Sequence, residues 1–495
     1  MRLLNPNEYN NTVAALMGDT THPGNNFPTP DSQSGYTNNG AQTMNDLLAE
    51  AMETAAEALT TSALTHIGDF VPCDATKVDP RTCAGQFVAS FGKKAFRRPV
   101  TSTETTALLA LYDVGATGGT FNEGIGVMMQ EILQSPSFLY TTELGTSATP
   151  ATAVTNLDPY ELASAISYLV LASPPDDMLM AAADGGQLTT PAQIEAQARR
   201  LLTDARAKTQ IQRFIFEWLG ISDVSVATKD ATMYPKFTPT LQQMMAAETG
   251  AYAQDVIFNG DASLNSLMTG QYTFVDKELG ALYGVTAAQN GVLQKVTLPA
   301  GQRSGLLTQA SVMTIYAHAN ETSPILRGVF LREKILCESL PPPPTGLKIV
   351  IPQPNPNAPN TTRALFDQHV SDAACSGCHG LIDPVGNLFE EFDAIGAFRS
   401  MENGSPIDST GTVTGTKTIN AAYANASSFL KSLGSSAEAQ TCFARNVFRF
   451  GSAQSDPNTE SNMLGVLMQN PQTSMLEILV AFAKSQLFTQ RAAAQ

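Results

Sequence analysis

Asp158-Pro159-Tyr160-Glu161 opens a segment that predicts a helix with a defined first residue. Asp is a favoured N-cap, Pro suits the first helical turn, and Glu at N3 bonds back to the cap amide. The same kind of start recurs at Asn5-Pro6-Asn7-Glu8, Thr101-Ser102-Thr103-Glu104, Thr190-Pro191-Ala192-Gln193, Ser474-Met475-Leu476-Glu477 and, without the acid, Ser323-Pro324. These starts predict a mainly α fold.

Apolar residues then repeat at helical spacing, as in an amphipathic helix that buries one face. The stripes are Phe121, Ile125, Met128, Met129, Ile132 and Leu133; Ile211, Phe214, Ile215, Trp218 and Leu219; and Met475, Leu476, Leu479 and Phe482. We interpret their Met and aromatic residues as core. Short alternating stretches at 292–298 and 411–418 predict a minor β-hairpin.

Loop-like composition suggests how the chain is divided. Residues 19–41 and 144–156 are rich in small, polar or Pro residues, and the Pro-rich stretch 341–359 cannot continue a helix. We predict a multi-part helical bundle with an N-terminal helical domain at 1–65, a small helical domain at 70–143, a central helical domain at 155–290, a domain with the Pro-rich connector at 300–402 and a C-terminal helical domain at 403–495.

Composition and charge exclude several classes of function. The 495 residues are 43% hydrophobic and 15% charged, which indicates a globular rather than a disordered chain. A formal net charge of −16 argues against nucleic acid as a partner. No run of about 18 apolar residues occurs, so no transmembrane helix is expected.

The spacing of the six cysteines predicts that four of them form disulfides and that the other two have a different role. Cys73 and Cys83 flank a short loop, and we predict that they pair. Cys337 and Cys442 remain as a long-range pair, although sequence alone leaves reduced, buried cysteines open. Disulfides at these positions require an oxidising compartment.

Cys375-Ser376-Gly377-Cys378-His379 has the C-x-x-C-H pattern of c-type haem attachment. Two thiols one helical turn apart suit the two vinyl groups on one porphyrin edge, and the next residue offers its imidazole to iron. We therefore predict one covalently attached haem c per chain, in a c-type-cytochrome-like segment, with Cys375 and Cys378 as the attachment residues and His379 as an axial iron ligand. The alternatives are a zinc half-site, a thioredoxin-like pair and a structural disulfide, but a second ligand pair and a βαβ context are both missing.

Other residues are candidates for the surroundings of the cofactor. Pro384 suits a turn that offers a backbone carbonyl to His379. His318 is the preferred second axial ligand, and an open axial position is the main alternative. Arg327 and Arg399 are candidate propionate partners. Further axial candidates are His369, Met313 and Met401.

Several motifs along the chain resemble those of exported, multi-part cytochrome-like proteins of planctomycetes and myxobacteria. The motifs are Leu4–Thr12, Phe91–Pro99, Gln134–Tyr140, Tyr160–Ser164, Ser173–Asp177, Arg303–Gln309, Thr322–Pro324, Arg327-Gly328, Pro341–Pro344, Ile382–Pro384, Phe392–Gly396 and Arg399. These proteins are built from consecutive domains of unknown function, and the resemblance implies an exported, largely helical haem protein without naming a substrate. The usual Tyr-Ala-x-Gly-Arg of the last domain is Phe450-Gly451-Ser452-Ala453-Gln454 here, so Gln454 stands where that domain has Arg.

Three functions follow as hypotheses. The first is an exported monohaem electron carrier with an unknown redox partner; the second is a peroxidase- or oxygenase-type haem oxidoreductase acting on an extracellular substrate. The third is a surface binding or assembly protein with a structural haem. Because c-type haem is attached outside the cytoplasm, we expect a periplasmic, cell-surface or secreted protein. Met1–Pro6 reads as a helix start rather than a signal peptide, so the export segment is expected to lie upstream or to have been removed.

Overall fold

The structure is a computed structural model, and it describes residues 1–38, 42–145, 154–341, 360–370, 373–452, 461, 464–465 and 474–492. The predicted mainly α fold is confirmed, because α-helices dominate the described residues. Strands occur there only as five two-stranded antiparallel sheets. Of the predicted loops, residues 39–41, 146–153 and 342–359 lie outside the described residues.

The described residues fall into two compact units. The first draws on Met1–Gln210, Arg449–Thr459 and Leu479–Gln495, and the second on Ile211–Phe448 and Glu460–Ile478. The predicted five-domain division remains a prediction.

The helices of the first half of the chain are α1 Pro6–Met17, α2 Asp46–Leu64, α3 Pro80–Phe87, α4 Lys93–Phe96, α5 Ser102–Ala116, α6 Phe121–Gln134, α7 Pro136–Leu139, α8 Pro159–Leu171, α9 Asp177–Asp184, α10 Pro191–Leu201 and α11 Ala205–Leu219. The strands here are β1 Arg2–Leu3, β2 Tyr140–Thr141 and β3 Val154–Asn156. Strand β1 pairs with β2, while β3 pairs with a strand from the end of the chain.

The second half continues with α12 Pro239–Gln254, α13 Leu264–Thr269, α14 Lys277–Tyr283, α15 Ala310–Ile315, α16 Pro324–Phe330, α17 Thr362–Val370, α18 Ala373–Asn387, α19 Ala426–Gly434, α20 Ala437–Ser452, α21 Met475–Ala483 and α22 Gln486–Thr489. Its strands are β4 Tyr272–Val275, β5 Gln294–Thr297, β6 Met401–Glu402, β7 Ser405–Pro406, β8 Gly411–Val413, β9 Ala421–Tyr423 and β10 Gln490–Ala492. Short π-helical turns occur at Val88–Gly92, Asp255–Asn259 and Leu331–Ile335.

The predicted helix starts are confirmed at the level of individual hydrogen bonds. Helices α1, α5, α8 and α10 each begin with a complete capping box at the predicted residues. Ser323 caps α16 without the reciprocal acid, as its sequence implied. Two further boxes were not predicted from the sequence: Thr120 with Glu123 at the start of α6, and Asn425 with Ser428 at the start of α19.

Each unit has its own hydrophobic core. In the first, the predicted α6 stripe is buried against residues of α2, α3 and α5. In the second, one apolar cluster consists of Val224, Leu241, Met245, Val275, Leu279, Tyr283, Ala287, Leu298 and Ala310. Burial of these faces, rather than helix propensity alone, stabilises the short helices.

The predicted strands also form, although they are shorter than the stretches that predicted them. Strand β5 lies within 292–298 and pairs antiparallel with β4, from Tyr272 opposite Thr297 to Val275 opposite Gln294. Strand β8 lies within 411–418 and pairs antiparallel with β9. No helix among the described residues is both long and apolar enough to cross a bilayer.

Both predicted disulfides are present. Cys73 and Cys83 are bonded with their Cα atoms 5.8 Å apart, and Cys337 and Cys442 are bonded with theirs 5.4 Å apart. In the second bond, Cys337 follows the π-helical turn that continues α16, and Cys442 lies in α20. Both residues belong to the same unit. Cys375 and Cys378 are the cysteines left as thiols.

Candidate functional site

Helix α18 carries the two free thiols and the histidine that follows them. Cys375 and Cys378 are both half-buried, and neither belongs to a disulfide. Residues three and four apart lie on the same side of a helix, so Cys375, Cys378 and His379 are grouped on one side of its N-terminal half. Two thiols and an imidazole in this arrangement fit covalent attachment of a porphyrin at its edge.

His379 is held by a carboxylate one turn later. Its Nδ1 lies 3.0 Å from Oδ1 and 3.1 Å from Oδ2 of Asp383. The Asp383 side chain is only 3% exposed, whereas that of His379 is 21% exposed. Because Nδ1 faces the carboxylate, Nε2 is the nitrogen that would coordinate a metal.

The turn predicted at Pro384 is wrong, whereas its role as a carbonyl partner of His379 stays a prediction. Pro384 does not turn the chain after the motif but lies inside α18. A Cβ added at Gly411 would overlap the Pro384 carbonyl oxygen, so that carbonyl is closely approached by β8. The group that meets Nδ1 of His379 is the Asp383 carboxylate.

Helix α16 crosses α18 at two glycines. A Cβ added at Gly328 would overlap the Ile382 carbonyl oxygen, and one added at Gly386 would overlap the Pro324 carbonyl oxygen. As α16 runs from Pro324 to Gly328, its contacts on α18 therefore run from Gly386 back to Ile382, which makes the two helices antiparallel. The backbones approach closely because neither glycine has a side chain.

Arg332 fixes the helix just beyond the motif, a role that sequence reasoning missed. It is 1% exposed, and its Nε donates to the Leu381 carbonyl at 2.9 Å. Its Nη2 donates to the Thr414 carbonyl at 2.6 Å, and its Nη1 pairs with Glu338 at 2.7 Å. One guanidinium thus ties α18 to the chain on either side of it.

Arg327 lies at the opposite end of α18. It is buried, and its guanidinium donates to the carbonyls of Phe389, Phe392 and Asp393 at 2.8–3.1 Å. A contact of 3.3 Å to Glu390 adds charge pairing. These bonds hold the segment that follows α18. The role of Arg327 as a propionate partner stays a prediction.

Arg399 belongs to the same end. Its Nη1 donates to Glu402 at 2.9 Å, and its Nη2 lies 3.7 Å from Glu390. Its Nε and Nη2 atoms are buried and have no hydrogen-bond partner among the described residues. Burial raises the pKa of the Glu390 carboxyl, which the two arginines oppose.

His318 is exposed in the short hairpin between α15 and α16. Its carbonyl accepts from Lys229 Nζ at 2.7 Å, and burial lowers the pKa of that lysine to about 8. Four residues later, Thr322 donates to Glu390, beyond the end of α18. The role predicted for His318 as the second axial ligand stays a prediction.

The remaining axial candidates are scattered. Met313 is buried in α15, and Met401 is 51% exposed in β6. The side chain of His369 lies outside the described residues. Among the described residues, no group of three or more His, Cys, Asp or Glu side chains is arranged to hold a metal ion.

The start of the Pro-rich connector reaches the motif. Cys378 Sγ lies 3.9 Å from the Pro341 carbonyl oxygen. Residues 342–359 lie outside the described part of the chain.

A second buried polar group, also missed from sequence, lies in the same unit around Glu248. Its carboxylate accepts from Thr273 Oγ1 and from the Tyr283 hydroxyl, both at 2.6 Å. The Arg303 guanidinium stacks on the Tyr283 ring, with its carbon 3.8 Å from the ring centroid. Burial raises the pKa of Glu248 to about 7. These groups bond to one another, which is typical of a structural polar network.

Comparison with known families gives four consecutive matches, each described as a protein of unknown function. They are DUF1587 (PSD3) at residues 2–65, DUF1595 (PSD5) at 83–143, DUF1592 (PSD4) at 157–285 and DUF1588 (PSCyt3) at 303–402. The PSCyt3 match contains α16, α17 and α18. No curated protein and no solved structure matches the chain.

Proposed function

We propose that this chain, a succession of four domains of unknown function of which the last has a cytochrome-like family name, is an exported monohaem c-type cytochrome-like protein. It binds one haem through Cys375 and Cys378, with His379 as an axial ligand, and transfers electrons. The observation that carries the proposal is the pair of free thiols on one helix beside a histidine, in a chain whose other four cysteines form disulfides.

The local chemistry supports the cofactor. Thiols one turn apart are placed to form two thioether bonds to one porphyrin edge, and His379 follows directly on the same helix. Asp383 holds Nδ1, so that coordination uses Nε2. When bound, haem supplies a one-electron couple whose potential depends on axial ligands, hydrogen bonds and burial.

The disulfides support the proposed location. Cys73–Cys83 and Cys337–Cys442 are compatible with an oxidising compartment, which is also where c-type haem is attached. A periplasmic, cell-surface or secreted protein meets both requirements.

A second candidate function is a haem oxidoreductase of peroxidase or oxygenase type. The contact between His379 and the buried Asp383 favours it, because a carboxylate partner makes an axial imidazole a stronger electron donor. This function requires an open or displaceable second axial position, whereas electron transfer is best served by two protein ligands.

Optical spectra of the protein, produced with c-type maturation machinery, test the proposal. We expect haem absorption in the wild type and in Ser376→Ala, which keeps the C-x-x-C-H pattern. We expect none in the double variant Cys375→Ser/Cys378→Ser. A wild type without haem, from cells that mature a reporter cytochrome c, would overturn the proposal.

Carbon monoxide separates the two candidate functions. An electron carrier with two protein ligands keeps its reduced spectrum when carbon monoxide is added. A shifted spectrum identifies an open axial position and favours the oxidoreductase. His318→Ala tests the predicted second ligand, since loss of the low-spin spectrum would assign it and an unchanged spectrum would reject it.

A further inference from the structure

The contact between His379 and Asp383 has the geometry of a directed hydrogen bond. The two residues are one helical turn apart on α18, and both carboxylate oxygens lie within 3.1 Å of Nδ1. An Nδ1–H donor pointed at a carboxylate forms a charge-assisted bond, which is about twice as strong as a neutral one.

Burial strengthens the effect of this carboxylate. The Asp383 side chain is 3% exposed, so little water competes for its oxygens. A buried carboxylate is unfavourable unless hydrogen bonds compensate for lost hydration. The charge of Asp383 therefore acts on the imidazole through a medium that screens it weakly.

The backbone around Asp383 is fixed from several directions. Arg332 donates to the Leu381 carbonyl, and Gly328 lies against the Ile382 carbonyl. Gly411 packs against the Pro384 carbonyl, and Gly386 against Pro324. The backbone on both sides of Asp383 is thus closely packed, which restricts movement of this part of α18 relative to its neighbours.

We infer that Asp383 is a positioning residue that accepts the Nδ1 proton of His379, directs Nε2 towards the haem and increases the electron donation of the imidazole. The inference rests on the proposed function, because it concerns the proximal ligand of that haem. A carbonyl from Pro384 would give a neutral acceptor, whereas Asp383 gives a charged one. The expected consequence is a lowered midpoint potential, with the ferric state stabilised.

Equilibrium redox titration of the haem-loaded protein tests the inference. Asp383→Asn keeps the size of the side chain but removes its charge, and we expect the midpoint potential to rise. Asp383→Glu restores a carboxylate and should return part of the difference. Asp367→Asn is the matched control, because it removes the same charge from an exposed position on the neighbouring helix α17 and should leave the potential close to that of the wild type.

Equal potentials in wild type, Asp383→Asn and Asp367→Asn would overturn the inference while leaving the proposed function intact. Thermal unfolding of each loaded variant shows whether a change in potential comes from a damaged fold. A potential that rises with an unchanged unfolding temperature supports the positioning role.

A second measurement needs no haem. Nitrogen-15 NMR of the chain before haem attachment, with the His379 signals assigned by their loss in His379→Gln, reports which ring nitrogen carries the proton. We expect the neutral ring to be protonated at Nδ1 in the wild type and less so in Asp383→Asn. An unchanged tautomer overturns the hydrogen bond itself. A wild type that fails to take up haem overturns the proposed function and the haem-directed role of Asp383, even where the tautomer shows the hydrogen bond.

Discussion

At the scale of single residues, the local sequence distinguishes the cysteines that form disulfides from those that remain free thiols. Four cysteines are bonded, while the two that share α18 with His379 remain thiols. Sequence spacing was enough to predict this division, because C-x-x-C-H is a local pattern. The contact between Asp383 and His379 was not predicted, although the two residues are four positions apart in the sequence. Residue type alone does not show that the Asp383 carboxylate is buried.

Glu248 gives a prediction at the same scale. Its pKa is raised from 4.5 to about 7 by burial, so the folded state binds a proton more tightly than the unfolded state. Stability from this group is fully present below about pH 4.5 and is lost as the pH rises through about 7. The loss is about 3 kcal/mol at most, from the size of the shift.

Glu248→Gln mimics the protonated form and should remove this pH dependence. In chemical unfolding at pH 5 and pH 8, the variant should become more stable relative to wild type at the higher pH. Glu50→Gln, at an exposed position on α2, is the control and should show no such trend. If the difference in unfolding free energy between Glu248→Gln and wild type stays constant from pH 5 to pH 8, the Glu248 carboxyl does not titrate in this range.

At the scale of elements, helix starts were the most predictable feature of the fold. The boxes at Asn5, Thr101, Asp158 and Thr190 use contacts within four residues, which sequence reveals directly. The crossing of α16 and α18 was not predictable, because Gly328 and Gly386 are 58 positions apart and only the fold brings each against a distant backbone.

Gly386→Ala tests this crossing. Its Cβ would overlap the Pro324 carbonyl oxygen, so the helices must separate. Overpacking of this kind costs about 1–3 kcal/mol of unfolding free energy. Gly85→Ala is the matched control in α3, where a Cβ meets nothing within 4 Å and alanine favours the helix. A Gly386→Ala protein as stable as wild type would contradict the close approach of α16 and α18.

At the scale of the whole molecule, the family matches and the disulfides describe an architecture of several parts in one chain. The four matches are consecutive, and each disulfide joins residues of one unit. The mainly α class was predictable from repeated local signals. The grouping of the described residues into two compact units was not, because it depends on contacts between residues far apart in sequence.

The two disulfides should differ in their contribution to stability. They close loops with sequence separations of 10 and 105 residues. Chain entropy assigns about 3 kcal/mol to the shorter loop and about 5 kcal/mol to the longer. In chemical unfolding, Cys337→Ser/Cys442→Ser should therefore lose more unfolding free energy, relative to wild type, than Cys73→Ser/Cys83→Ser does. The reverse order would show that native-state packing, rather than loop length, sets these contributions.

The most direct test of the covalent haem is the intact mass of the purified protein after denaturation, which removes any cofactor that is not covalently bound. The protein should be produced in an oxidising compartment with c-type maturation machinery. The wild type and Ser376→Ala should each have the mass of the chain plus one haem, and Cys375→Ser/Cys378→Ser should have the mass of the chain alone. A wild-type mass without haem, from cells that complete a reporter cytochrome c, would contradict haem attachment at Cys375 and Cys378.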